Sequence, residues 1–266
     1  MDKLTSILAI VPEGGAQGAS LEKICRLIRK SSARVELYLA APSDYFAVAG
    51  RVAALGCGGA VAFTMHDGVT PLRDAVMQRA RDIGADLLVA PRAQVEFERC
   101  PIPVLLLGRS TWAAEPRFAA AVDVTEPDSD ALSRRILHVA GFLAQRFVAH
   151  LDILYSETEK HDETLRLERA VRLARLVREY HVGCERLQVF EGPPQQTLPP
   201  LLAERCYDVI VLGTVPRHRA LLATFHSITR RLLQSTDSDI LLVDPAEAAA
   251  RTARPASAGQ QLAHQA

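Results

Sequence analysis

Ten apolar, β-branched-rich runs of strand length recur along the chain. In the first half they are SILAIV (6–11), RVELYLA (34–40), AVAFTM (60–65), DLLVA (86–90) and PVLLL (103–107). The second half answers with FAAAVDV (118–124), HLDILY (150–155), RLQVF (186–190), DVIVL (208–212) and DILLV (239–243). Continuous apolar runs, rather than strict alternation, suit parallel strands buried on both faces of a sheet. Amphipathic segments lie between them. In HDETLRLERAVRLARLVREY, Leu165, Ala170 or Leu173, Leu176 and Val177 recur at helical spacing with arginines and glutamates opposite. A second helix starts near Asp128, with Asp128, Ser129 or Asp130 as candidate caps and Ile136, Val139, Ala140 and Leu143 on one face.

Alternation of strand and helix, with right-handed crossovers, predicts a doubly wound α/β layer in each half. The expected fold is therefore α/β, built as two tandem Rossmann-like domains with five-stranded parallel sheets. GRSTWAAEPRF (108–118) has Gly, Ser, Thr and Pro but no periodic apolar face, which puts the boundary near residue 112. The expected domains are 1–111 and 112–245. Small and polar residues after Asp244 predict an unstructured tail over 246–266.

Matching phrases mark the two halves as copies. An acidic residue announces the fourth strand in IGADLLVAP and in RCYDVIVLGT, and the third strand leads to a glycine turn in HDGVTPL and FEGPPQQTL. The last strand is entered through CPIPVLLL and TDSDILLV. These phrases resemble the universal stress protein family, whose unit has an adenine nucleotide alpha hydrolase-like fold, and two units in one polypeptide resemble its tandem E-type members. Asp86 and Asp208 lie 122 positions apart, whereas Pro103 and Asp239 lie 136 apart, so the first copy lacks 14 residues between its last two strands. The resemblance implies that this missing segment is the phosphate-binding loop. Aligning ILAIV with AAVDV puts Ile10 opposite Asp123. The resemblance implies that an Asp there contacts the adenine end of a nucleotide, so the first half is expected to be structural and degenerate.

In the second half, family members that bind nucleotide carry two glycines two residues apart, then nine residues, a third glycine and Ser or Thr. Here GTVPRHRALLATFHS offers Gly213 as the first glycine and Ser227 as the hydroxyl, while Pro216 and His226 replace the other glycines. Proline removes an amide donor and imidazole fills space that a phosphate would use. Arg217, His218, Arg219 and His226 add positive or titratable groups instead. The candidate ligand-binding residues are therefore Asp123, Gly213, Arg217, His226 and Ser227. A small anion is the expected ligand, and ATP or AMP the alternative. Asp123 equally suits a turn cap, and the arginines equally suit a solvated loop.

Composition narrows the function. Thirty-one basic and 31 acidic residues cancel, which argues against nucleic acid as a main partner. No run approaches the ~18–20 apolar residues that cross a bilayer, and a soluble, cytoplasmic protein without membrane insertion is expected. Cys25, Cys57, Cys100, Cys184 and Cys206 are scattered singly, without metal or redox spacing, and read as buried or idle thiols. His66, His138, His150, His161 and His181 likewise lack ligand spacing. No catalytic motif is present, neither GxSxG, HExxH nor GxxxxGK[ST]. The expectation is a non-enzymatic stress-response or regulatory protein with an unknown protein partner and no metal. The resemblance further implies an intramolecular pseudo-dimer, PVLLL beside DILLV, with homodimerisation left open.

Overall fold

The structure is a computed structural model that describes residues 4–16, 18–94, 97, 100–124, 130–157, 163–179, 183, 185–214 and 231–244. All ten apolar runs form strands. They are β1 Ser6–Val11, β2 Arg34–Leu39, β3 Val61–Met65, β4 Leu87–Pro91, β5 Val104–Leu107, β6 Arg117–Val122, β7 His150–Glu157, β8 Arg186–Glu191, β9 Val209–Gly213 and β10 Asp239–Val243. The helices are α1 Ala19–Ser31, α2 Tyr45–Ala54, α3 Leu72–Asp82, α4 Asp130–Phe147, α5 Glu163–Glu179 and α6 Pro194–Arg205.

Each half is a five-stranded parallel layer, in the order β3-β2-β1-β4-β5 and β8-β7-β6-β9-β10. The two layers are not separate sheets. β5 and β10 pair antiparallel, Leu105 opposite Leu241, and fuse them into one ten-stranded sheet. The expected pseudo-dimer is thus present, and its axis runs through a hydrogen-bonded seam. Apolar side chains cover both faces. One layer packs α1, α2, α4 and α5 on the sheet through Ile24, Val48, Ile136, Val139, Leu173 and their neighbours. The other seats α3 and α6 through Val76, Ala80, Leu198 and Leu202. Full burial of a Leu or Ile side chain stabilises by about 1.5–3 kcal/mol, and both layers continue across the seam. Burial on both faces fails only at the edges, where β3 and β8 are half exposed. On α5 only Leu173 and Leu176 are buried, so Leu165 and Ala170 face solvent against expectation.

The acidic residue before each fourth strand anchors the first. Asp86 accepts from the amides of Thr5 (2.8 Å) and Ser6 (3.2 Å) and from the Thr5 hydroxyl (2.6 Å). Asp208 does the same for Ala113 (2.9 Å) and Arg117 (2.8 Å). These bonds satisfy amides at the start of β1 and β6 and in the segment leading into β6.

The seam has its own polar core. Asp239, fully buried, accepts from Lys23 Nζ at 2.6 Å, from the Gly108 amide at 2.6 Å and from Trp112 Nε1 at 2.7 Å. Lys23, only 2% exposed, also donates to the Gly108 carbonyl at 3.1 Å. Burial pushes the Asp239 carboxyl up, while the ammonium, amide and indole pull it back towards the ionised form. The segment joining the halves is consequently no loose tether. Trp112 is buried edge-on against Phe147, and Arg26 donates to the carbonyls of Trp112, Ala113 and Ala114.

Candidate functional site

In open α/β sheets a crevice opens at the carboxyl edge where neighbouring connections diverge to opposite sides. In the second half that point lies between β6, flanked by β7 and β9, and β9 itself. Phe118 faces Val209 and Ala120 faces Val211, so β6 and β9 end level. Asp123 leaves β6 beside Gly213 and Thr214, which leave β9.

The local backbone there is fixed. The Asp123 amide donates to Ser133 Oγ at 3.0 Å, and the same hydroxyl donates to the Asp123 carbonyl at 2.5 Å, tying the strand end to α4. Gly213 lies against α4 as well, and a Cβ there would stand 2.5 Å from Leu132 Cδ2. Thr214 donates its amide to the Val243 carbonyl at 2.8 Å. Gly213 therefore has a packing reason as well as a ligand reason. Arg217, His226 and Ser227 fall outside the described residues, as do Pro216, His218 and Arg219.

The first half differs at each equivalent position. Ile7 faces Leu87 and Phe118 faces Val209, so Ile7 corresponds to Phe118 and the partner of Asp123 is Pro12, not Ile10. The alignment read from sequence is two residues out. Proline carries no carboxylate either, so the contrast between halves stands. Pro91 occupies the place of Gly213, and the next residue, Arg92, crosses the seam to donate to the Thr236 and Ser238 carbonyls. Leu88 faces Val104 and Ile210 faces Ile240, pairs 16 and 30 positions apart, which reproduces the 14-residue deficit of the first half. Where a phosphate loop would begin, the first half has a brace.

Sequence reading passed over one feature of the first half. A glycine-rich stretch follows β1 and turns at residues 13–16, with Gly14 at φ 68 and Gly18 at φ 148. Beside it Ala16, Gly18, Ala47 and Arg51 line a surface hollow of about 440 Å³. Arg51 is engaged by Glu22 at 2.7 Å.

The ionisable groups elsewhere satisfy one another in pairs. Tyr38 Oη lies 3.0 Å from His66 Nδ1. Burial raises the Glu36 carboxyl, but hydrogen bonds from Arg79 and Thr64 outweigh it and leave Glu36 below the usual carboxylate value. Tyr207 donates to Asp152 at 2.7 Å, and burial, then the carboxylate, pushes the phenol up to about 12. His150 lies between Glu185 and Glu115. None of these pairs joins a nucleophile to a base at the carboxyl edge of the second half. Among the described residues no group of three or more His, Cys, Asp or Glu could hold a metal ion. Among them, too, no helix is long and apolar enough to cross a membrane. Cys25, Cys57 and Cys100 are buried, and the fold brings Cys25 and Cys57, distant in sequence, close together.

No family model matches the chain. It is 20% identical over 169 residues to a universal stress protein E homolog of Haemophilus influenzae, and the match covers 57% of this chain and 55% of that relative. The chain thus spans about half the length of the curated relative it matches. Its fold matches a crystal structure from Pseudomonas aeruginosa UCBPP-PA14 described as a universal stress protein, with TM-score 0.76, 20% identity, and 93% of this chain and 96% of the other covered. A universal stress protein of Archaeoglobus fulgidus matches with TM-score 0.63 and 13% identity, over 91% of this chain and 97% of that one. The chain is similar to universal stress proteins over nearly its whole length, and its fold is their tandem fold.

Proposed function

We propose that the chain works as a tandem universal stress protein of the E type: a non-enzymatic regulatory protein whose first domain, 1–111, is structural and whose second, 112–245, takes a small anionic ligand. The difference between the two carboxyl edges carries this reading. Asp123 stands beside Gly213 and Thr214 in one half, whereas Pro12, Pro91 and the bracing Arg92 occupy the matching positions in the other. A carboxylate accepts amino or hydroxyl hydrogens. Gly213 opens a segment rich in arginine and histidine, which attracts negative charge.

The second reading, an ATP- or AMP-binding switch, is favoured by the position of Asp123 at the divergence of the sheet. It is opposed by Pro216 and His226, which take the places of two glycines. The two readings separate by ligand size. Mass spectrometry of whatever is released on denaturing the purified protein, followed by calorimetry with ATP, AMP and pyrophosphate, tests both. Binding of pyrophosphate at least as tight as AMP supports the anion reading. Tighter binding of ATP or AMP supports the switch, and no heat with any of the three ends both.

A further inference from the structure

Along the sequence the cysteines stand alone, yet two of them meet in the first half. Cys25 sits in the second turn of α1 and Cys57 in the turn that follows α2. Cys57 Sγ lies 3.6 Å from the Cys25 carbonyl oxygen, which brings the two side chains beside each other. Both are buried in one apolar cluster, 0% and 3% exposed. The Arg29 guanidinium lies 3.9 Å from Cys57 Sγ and is held there by the Leu55 carbonyl at 3.0 Å.

The turn carrying Cys57 has room to move. Gly56, at φ 74, precedes it and Gly58 and Gly59 follow, and a Cβ added at Gly56 or Gly59 would meet nothing within 4 Å. The turn is thus unpacked at Gly56 and Gly59, and bond formation needs the sulfurs to close to covalent distance with a Cβ–S–S–Cβ dihedral of about ±90°. Arg51, which lines the hollow beside α1, adds a second positive charge near the pair.

We propose that Cys25 and Cys57 are a modification site: a dithiol that closes to a reversible disulfide with hydrogen peroxide as oxidant, locking α1 to the turn after α2. Cys57, with the Arg29 guanidinium beside its sulfur, loses its proton to water and attacks one peroxide oxygen. The O–O bond breaks, giving Cys57 sulfenic acid and water once the departing hydroxide takes up that proton. Cys25 sulfur then attacks the sulfenic sulfur, and the expelled hydroxide leaves as water with the Cys25 proton. Two thiols are oxidised, one peroxide is reduced, and two waters form. The order of events follows from the surroundings. Burial, then the Cys57 thiol, pushes Cys25 up to about 12, so it keeps its proton until the second step. The other described cysteines serve as controls: Cys100 has Met77 Sδ at 3.5 Å as its sulfur neighbour, and Cys206 is exposed.

The test uses the full chain, treated with graded hydrogen peroxide, denatured in N-ethylmaleimide and mapped by peptide mass spectrometry without reduction. A cross-linked pair of peptides carrying Cys25 and Cys57, rising with peroxide and lost with dithiothreitol, is the expected result. In Cys25→Ala the cross-link should vanish and Cys57 should accumulate a dimedone-reactive sulfenic acid. Cys100→Ala should leave the cross-link unchanged. Recovery of both Cys25 and Cys57 as alkylated thiols at peroxide levels that oxidise Cys206 overturns the proposal, as does Cys57 linked to any other cysteine. Should Cys25→Ala fail to fold, the cross-link in the unsubstituted chain decides alone.

Discussion

Lys23 would pass for a surface lysine in any helical wheel, since nothing near it in sequence calls for a buried charge. Its partner, Asp239, is 216 positions away, and only the closing of the seam brings them together. Breaking a buried pair strands the surviving charge, at a cost of about 3–5 kcal/mol, whereas replacing both by apolar residues removes the desolvation penalty too. Lys23→Ala should therefore lower the unfolding free energy measured in urea by an amount in that range, and Lys23→Met with Asp239→Asn, which removes both charges and keeps an acceptor for the Gly108 amide and the Trp112 indole, should recover part of it. Equal losses in the single and double variants would show that the pair itself is not the cause. His150 makes a different prediction. Hydrogen bonds and charge from Glu185, then Glu115, raise its titration above the usual imidazole value. The raised value means that this contribution is full below the unfolded pKa of about 6.5 and fades as pH rises through the folded one. Imidazole NMR should place His150 above the unperturbed value, and Glu185→Gln should bring it down. The residue scale also shows where sequence reading stops. The Ile10 alignment slipped by two because ILAIV and AAVDV are apolar on both faces, and a shift of two preserves every side-chain direction. The pairings of β1 with β4 and of β6 with β9 fix the true register, the bonds to Asp86 and Asp208 agree with it, and both are visible in coordinates alone.

At the scale of elements, the strands were legible because buried parallel strands need long apolar runs, and all ten runs form one. Helices were less so. α6 carries Pro199 and Pro200 inside it, which sequence rules count against a helix, yet it buries Leu198 and Leu202 on the sheet. The seam between β5 and β10 was anticipated as a pairing of last strands. Its tightness was not. Gly108, just past β5, approaches the second half so closely that a Cβ would stand 2.2 Å from the Asp237 carbonyl oxygen. Gly108→Ala must push the two halves apart there, and a loss of about 1–3 kcal/mol in chemical denaturation is expected. A variant as stable as the parent would mean that the seam yields more easily than its contacts imply.

For the whole molecule, duplication lets the first half keep its place in the sheet without the ligand chemistry proposed for the second. β4 and β5 still pair, and the seam still closes, with 14 fewer residues between them and Arg92 bracing the partner half. The ligand side was the less legible part, since Arg217, His226 and Ser227 lie in a stretch whose meaning depends on three-dimensional convergence and not on spacing. Amide NMR of the full chain during titration with pyrophosphate tests the asymmetry most directly. The account predicts shifts that gather at Asp123, Val124, Gly213 and Thr214. Shifts that gather instead at Gly14, Gly15 and Gly18 would contradict it, for the binding edge would then belong to the half read here as structural.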